Sequence, residues 1–336
     1  MVPTYSQKLQ NHTYRWLITG GAGFIGSHIV EKLIQYNQKV TIVDNFSTGF
    51  KKNIEPFLSK INLIEGDLAD SKICDACFKE PIDFVLHQAA LGSVPFSIEF
   101  PEKTHEANVM GFFNILNASR INKVKSFIYA SSSSVYGDDQ TLPKIETKIG
   151  QPLSPYGLSK RIAEEYAQTF SKVYGLCTTG IRYFNVFGPR QNPNGAYAAV
   201  IPLWIKKLVN NEEIRIFGDG ETSRDFCYVS NVVDINILTA LASINPEKVD
   251  LIRGQVFNCA VGKKTTLNQL FKMIAHILKD KKLLIKNPNL VYEDFRYGDI
   301  THSHASIELS RQVLEFHPSV ELELGLDLSI SSLNNY

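Results

Sequence analysis

The chain has 336 residues, 44% of them hydrophobic, enough to bury a core and to build two lobes. Lys and Arg number 35 against 34 Asp and Glu, so no global field draws it to nucleic acid or an anionic membrane, and an anionic ligand must be held locally. The first residues, MVPTYSQKLQNHTYR, lack an apolar core of signal-peptide length, and no stretch offers about 18 uninterrupted apolar residues, so the expectation is a cytoplasmic protein without membrane or nucleic-acid partners.

In chain order, short β-branched runs predict strands at Trp16–Thr19, Val40–Asp44, Leu63–Gly66, Phe84–His87, Phe127–Ser131 and Thr179–Tyr183. Amphipathic stretches at Phe24–Tyr36, Thr104–Asn117 and Tyr156–Val173 alternate with them. The alternation predicts an α/β chain with a doubly wound, Rossmann-type parallel sheet, its ligand lying at the carboxyl ends of the strands where chain order reverses. After Tyr183, Gly, Pro and Asn cluster in NVFGPRQNPNGAYAAVIP and the later helices are spaced irregularly, which predicts a smaller mixed lobe. The expected division is a dinucleotide-binding domain over 14–184 and about 228–262, a substrate lobe over 185–227 and 263–336, and an N-terminal extension, 1–13. The apolar stretch Tyr228–Ala242 marks the return to the large domain, and the extension lies outside the core and is able to form a helix.

WLITGGAGFIGSHIVEKL reads strand, glycine turn, helix. Gly20, Gly23 and Gly26 allow a tight turn, a close backbone approach to a pyrophosphate and close helix packing, while the helix N-terminus at Phe24 and Ile25 faces the anion. Asp44 closes the second strand, 18 residues after Gly26, where a carboxylate accepts from ribose hydroxyls and repels a 2′-phosphate. The cofactor expected is therefore NAD rather than NADP, although Asp44 would also serve to cap the loop DNFSTG. Asn45, Ser47, Thr48 and Gly49 of that loop join the expected cofactor site, as do Asp67, placed to accept from the adenine amino group, and its neighbour Leu68.

Tyr156 and Lys160 form a YxxxK pair in SPYGLSKRIAEEYA, a pattern that 14 tyrosines produce by chance about once. Context strengthens it: Ser154 is placed as an N-cap, so Tyr156 and Lys160 share one face of a helix. Lys160 could then lower the phenol from about 10 toward neutrality and make it a base for a sugar hydroxyl. The serine run Ser131–Ser134 at the end of the fifth strand is expected to line the same cleft.

The cysteines are Cys74, Cys77, Cys177, Cys227 and Cys259. Cys74 and Cys77 form a lone CxxC in a helical segment with no second pair, which reads as two half-buried thiols rather than a metal or redox site. His302 and His304 have no partner at ligand spacing, and no metal is expected.

Taken together, the fingerprint, Asp44, the serine run, the Tyr156–Lys160 pair and IRYFNVFGPRQ resemble the extended short-chain dehydrogenases/reductases. The blocks GSVPFS, ASSSSVYGD, LSPYGLSK, RYFNVFGPRQNPNGAYAAVIP and GDGETSRDFCYV are similar to bacterial UDP-N-acetylglucosamine 4-epimerases of surface-polysaccharide pathways, over about residues 14–320. The resemblance implies that Ser132 is the catalytic hydroxyl beside Tyr156 and Lys160. It implies Gln88, Ala89, Ala90 and Asn108 around NAD, Phe184 beside the nicotinamide, and Asn185 on the sugar nucleotide. Arg224 and Arg296 match diphosphate arginines, a role that suits a bidentate guanidinium; for Arg224 the plainer reading is a salt bridge with Asp225. Val200, Trp204 and Asp299 join the implied substrate site.

Related 4,6-dehydratases need an acid/base pair directly after the catalytic hydroxyl; here Ser133 and Ser134 stand there, which favours epimerisation at C4. Gly92, Ser93, Ser134, Asn185, Ala199 and Ser303 match the sugar wall, with Ser303 as a small gate that would admit a 2-acetamido group. The implied substrates are UDP-GlcNAc and UDP-GalNAc, with UDP-glucose/galactose or UDP-uronic acids as the alternative. A dehydratase or decarboxylase, or a non-catalytic NAD-binding regulator, ranks below these. Phe96 departs from the pattern, since close relatives carry arginine there. The helices around Thr104–Asn117 and Tyr156–Val173 resemble a dimer-forming pair, which implies a homodimer.

Overall fold

In the computed structural model, which describes residues 5–194, 198–284, 286, 288–294 and 301–335, the β-branched runs pair into one parallel sheet. The chain opens with α1 (Ser6–Asn11), β1 (Arg15–Thr19), α2 (Phe24–Gln35), β2 (Lys39–Asp44), β3 (Ile61–Glu65), α3 (Ser71–Ala76) and β4 (Phe84–His87). It continues through α4 (Val94–Glu99), α5 (Pro101–His105), a π-helical turn over Glu106–Met110, α6 (Gly111–Ile121), β5 (Ser126–Ser132), α7 (Pro155–Tyr174) and β6 (Thr178–Tyr183). Next come β7 (Val186–Phe187), α8 (Val200–Val209), β8 (Ile214–Phe217), β9 (Ser223–Arg224), β10 (Cys227–Tyr228), α9 (Val229–Ala242), α10 (Val249–Ile252) and β11 (Gln255–Cys259). The remainder carries β12 (Thr265–Thr266), α11 (Leu267–Asp280), β13 (Leu290–Glu293), β14 (His302–Ser303), α12 (Glu308–Leu314) and α13 (Leu322–Ser331).

The main sheet has the order β3-β2-β1-β4-β5-β6-β11. From β1 the chain runs outward to β3, then returns across the sheet to β4, so the crevice between β1 and β4 opens at their carboxyl ends. Burial on both faces explains the near-continuous apolar strands: Trp16, Leu17 and Ile18 of β1 and Phe84, Val85 and Leu86 of β4 are all buried. One core joins Trp16, Ile18, Phe84 and Ile181 to α2 and α9 on one face; another joins Leu17, Val85, Phe127 and Tyr129 to α6 and α7 on the other. A third, around Trp204, Ile216, Phe226 and Ile274, gathers α8, α11 and α13.

The six expected strands are present, and β11 extends the sheet beyond them. The expected helix over Thr104–Asn117 is interrupted by the π-helical turn. The placing of the first 13 residues outside the core does not hold for the described ones. Tyr5 and Leu9 are buried in the main core, the Tyr5 hydroxyl donates to Asp234 at 2.6 Å, and Gln38 Nε2 donates to the carbonyls of Leu9 and His12. Cys74 and Cys77 are fully rather than half buried, and burial pushes both thiols up to about 12, which leaves them as packing groups. Among the described residues, no helix is long and apolar enough to cross a membrane.

Candidate active site

A cleft of about 510 Å³ opens at the carboxyl ends of β1, β4 and β5. Its floor is the turn between β1 and α2. Gly20 sits at φ +65° against the Ala89 backbone, where a Cβ would lie 2.8 Å from the Ala89 nitrogen. At Gly26 a Cβ would meet the Gly20 carbonyl oxygen at 2.1 Å, so only glycine lets α2 start this close to the turn. Gly23, Phe24 and Ile25 present the start of α2 to the cleft; the Gly23 N–H donates to the Gly20 carbonyl at 3.1 Å, and the N-terminal end of the helix suits a pyrophosphate.

Asp44, at the end of β2, is buried and faces the same space. It accepts from the backbone N–H of Ala22 at 2.9 Å and of Phe46 at 2.8 Å. Burial raises its carboxyl, and those two bonds pull it back. Loop capping and ligand binding therefore coexist, because each carboxylate oxygen keeps a second lone pair. Asn45, Ser47, Thr48, Asp67 and Leu68 line the cleft alongside, and Asn45 Nδ2 donates to Asp67 at 2.7 Å. Gly49 lies beneath them: a Cβ there would sit 3.0 Å from both Asp44 oxygens.

On the opposite wall, Ser154 caps α7 by accepting from the Gly157 N–H at 3.1 Å, with Pro155 as the first helical residue. Tyr156 and Lys160 consequently face the cleft one turn apart. The Lys160 amine is buried, donates to the Ala130 carbonyl at 2.8 Å and lies 5.9 Å from the centre of the Tyr156 ring. Burial lowers it to about 8, with the negative charge of Glu164 holding it up. Burial raises the Tyr156 phenol, with the neighbouring Ser132 side chain pulling it back down. Ser132, Ser133 and Ser134 complete this wall, and Ser132 Oγ accepts from the Ser134 N–H at 3.1 Å.

Gln88, Ala89 and Ala90 lead out of β4 along the cleft, and Gly92 follows with open space around it. Sequence reasoning missed the group that fixes Gln88: Tyr183 donates to its Oε1 at 2.9 Å, and Asn236 bonds both side chains, at 3.2 Å and 2.8 Å. The alternation of β6 carried the signal, since Tyr183 lines the cleft while Phe184 points away. Phe184, expected beside the nicotinamide, has its ring fully buried among Tyr136, Ala260, Ala305 and Ile307, next in the chain to the cleft-lining Tyr183 and Asn185. Asn108 also stands one layer back, on the π-helical turn, where its amide bonds both the N–H and the carbonyl of Leu91, at 2.8 Å and 3.1 Å, and so sets the loop that does line the cleft.

Asn185, at φ +33°, joins this cleft to a second cavity of about 450 Å³ that includes Val200, Trp204 and Arg224. Lys207, Arg215 and Phe217, not anticipated from the sequence, line it too. The Asp225 carboxylate is fully buried and accepts from the backbone N–H groups of Val261 and Gly262 at 3.0 Å, so its place is inside the fold rather than on the surface. Ser303 pairs with Arg224 across β14 and β9 but lines neither cavity, and Ala199, also expected in the wall, is exposed and gives way to Ala198. Ser93 caps α4, accepting from Phe96 N–H at 3.2 Å. Arg296 and Asp299 lie outside the described residues.

The pattern of the NAD dependent epimerase/dehydratase family matches residues 16–260. The chain belongs to that family. Its cofactor is NAD. The glycine cradle, the first turn of α2 and Asp44 fit the two ends of that dinucleotide's pyrophosphate and ribose. A UDP-N-acetylglucosamine 4-epimerase from Methanobrevibacter ruminantium, solved with UDP-N-acetylmuramic acid, is 38% identical with a TM-score of 0.87 over 96% of this chain and 99% of its own. A Thermus thermophilus UDP-glucose 4-epimerase solved with NAD is 30% identical, with a TM-score of 0.82 over 95% and 99%. Arabidopsis thaliana UDP-glucuronate 4-epimerase 4 is 32% identical over 92% of this chain and 73% of its own.

Proposed function

We propose that this family member inverts C4 of UDP-N-acetylhexosamines, interconverting UDP-GlcNAc and UDP-GalNAc in the cytoplasm. The observation that carries the reading is the wall itself: Ser133 and Ser134 stand beside Ser132 in the cleft, where elimination of water would need a carboxyl pair, and Gly92 leaves open space near them. Small polar walls suit a bulky 2-acetamido sugar that changes at no bond other than those of C4.

In this mechanism Asn185, Val200, Trp204 and Arg224 hold the nucleotide end in the second cavity and leave the sugar in the cleft. Tyr156 takes the 4-hydroxyl proton, directly or through Ser132, and returns it to the same oxygen once the 4-keto sugar has turned over and its other face is reduced. Lys160 holds positive charge behind the phenol throughout. When bound, NAD supplies the hydride acceptor and donor for C4 and the charge of its cationic ring. Arg296 and Asp299 are assigned to the same substrate site, and Ser303, which lines neither cavity, is assigned the gate from its place beside Arg224.

A homodimer is proposed as well. The helices α6 and α7 meet through Phe113 against Tyr166 and Phe170, and Leu158, Tyr166 and Val173 of α7 are exposed together with Met110 of the π-helical turn before α6. Such an apolar seam suits a second copy of the same pair. The deciding experiment incubates the purified protein with UDP-GlcNAc, UDP-GalNAc, UDP-glucose and UDP-glucuronate and follows the anomeric proton signals by NMR. Conversion of the N-acetylated pair supports the reading, and turnover confined to glucose or glucuronate overturns it.

A further inference from the structure

Behind the cleft wall lies a group of buried charges that the proton-transfer scheme does not use. Glu164 follows Lys160 by one turn of α7, and its carboxylate accepts from Arg182 of β6 twice, Oε1 from Nε at 2.9 Å and Oε2 from Nη2 at 2.8 Å. A third bond comes from Ser131 Oγ at 2.5 Å. The two side chains of the ion pair are only 2% and 9% exposed. Desolvating two ions costs about as much as their attraction returns, so stability by itself is a weak reason for this pair.

The placement supplies a better one. Tyr156, Lys160 and Glu164 lie at successive turns of one face of α7, and each meets the end of β5. Tyr156 adjoins Ser132, Lys160 bonds the Ala130 carbonyl and Glu164 bonds Ser131. We propose that Glu164, braced by Arg182, is a positioning residue for proton transfer: it fixes the strand end that presents Ser132 and keeps Lys160 cationic. The proposal rests on Tyr156 and Lys160 working as the acid–base pair, not on which sugar is turned over.

The charges around Lys160 agree with it. From α7 it faces Tyr156 and Glu164; from β4 it faces His87, which burial lowers to about 3 and so keeps neutral; from β5 it meets the Ala130 carbonyl. Glu164 in turn faces Arg182 of β6 and Tyr129 of β5. Arg182 is held farther out by the Glu146 carbonyl at 2.9 Å and by the Tyr136 ring at 4.8 Å. Burial is the largest influence lowering Lys160, and the negative charge of Glu164 opposes it.

Glu164→Gln keeps the shape and removes the charge. Lys160 then loses its proton at lower pH, so the alkaline limb of the turnover–pH profile should move down by about one unit, a loss of up to about tenfold on that limb. Glu164→Asp keeps the charge and should keep the limb in place. A titration of carbon-13-labelled lysine, with the Lys160 signal assigned by Lys160→Arg, should show the same shift without needing turnover. If Glu164→Gln, which strands Arg182, fails to fold, the double variant Glu164→Gln/Arg182→Met removes both ions and should fold and move the limb downward. An unmoved limb and lysine titration, or equal losses in the Gln and Asp variants, overturn the proposal. A wild-type protein that turns over no UDP-sugar would overturn the proposed function instead, while the lysine titration would still decide the role of Glu164.

Discussion

Burial raises the Tyr156 phenol rather than lowering it, so the base has to be made by positive charge in the cleft, and Lys160, 5.9 Å from the ring, supplies it one turn along α7. Tyr156→Phe keeps the ring and removes the proton carrier, and turnover should fall by a factor of order 10² or more while NAD binding is nearly unchanged. Near-normal turnover in a UDP-sugar assay would take the role of base away from Tyr156. The proposed gate offers a second single-residue test. Ser303 stands beside Arg224 on the short sheet of β12, β9 and β14, and Ser303→Tyr adds a ring there. Overpacking of about 1–3 kcal/mol, roughly 5- to 150-fold, should fall on UDP-GalNAc and much less on UDP-galactose. The ratio of the two kcat/KM values measures it, and equal losses would make Ser303 a lobe support only. At this scale the sequence was most readable where chemistry and backbone coincide, as at Gly20, Gly26 and Asp44. It was least readable where a side chain acts through another, as Asn236 does through Gln88 and Asn108 through Leu91, because no spacing rule connects residues 148 and 17 positions apart.

Elements were legible where capping or periodicity was strong. α7 begins where Ser154 and Pro155 announce it and ends at Gly175, which takes the left-handed conformation that stops a helix. β11 went unpredicted because QVFNC is short and mixes Asn and Cys into its apolar run; what makes it a strand is pairing with β6, a tertiary cause. The π-helical turn has a similar origin, since Asn108 trades regular α geometry for two bonds to Leu91. α1 is the largest departure at this scale, and it is testable. Six residues are too few to be helical alone, so α1 must be held by the core that Leu9, 1% exposed, enters. Leu9→Ala should therefore lower stability by about 2–3 kcal/mol in urea denaturation, with the cleft residues untouched. A change within about 0.5 kcal/mol would mean that α1 frays without cost.

Across the whole molecule, the loop that follows β7 is tied back to the first turns of α2, so the helix that faces the cofactor is also the helix that grips the later part of the chain. His28 donates through Nε2–H to the Pro189 carbonyl at 2.9 Å, while Arg190, which lines the cleft, pairs with Glu31 and reaches Ser27 Oγ at 3.4 Å. Burial, aided by the Arg190 charge, lowers the His28 imidazole from 6.5 to about 4. The direction of the consequence follows from proton counting. Below pH 6.5 the unfolded chain protonates His28 and the folded chain does not, so the stability that the neutral ring contributes is present above pH 6.5 and declines as pH falls toward about 4. Between pH 7.5 and pH 5 the share of this one residue should be up to about 2 kcal/mol. His87, buried behind the cleft against Thr19 at 2.9 Å and lowered to about 3, declines over the same range. The wild-type slope alone therefore cannot assign the effect. His28→Gln keeps a donor for Pro189 and removes the titration, so its denaturant midpoint should fall less between the two pH values than that of the wild type, by the His28 share. Identical declines in the two proteins would mean that His28 takes up its proton in the folded chain as readily as in the unfolded one, and that the tie between α2 and the loop after β7 rests on Arg190 and Glu31.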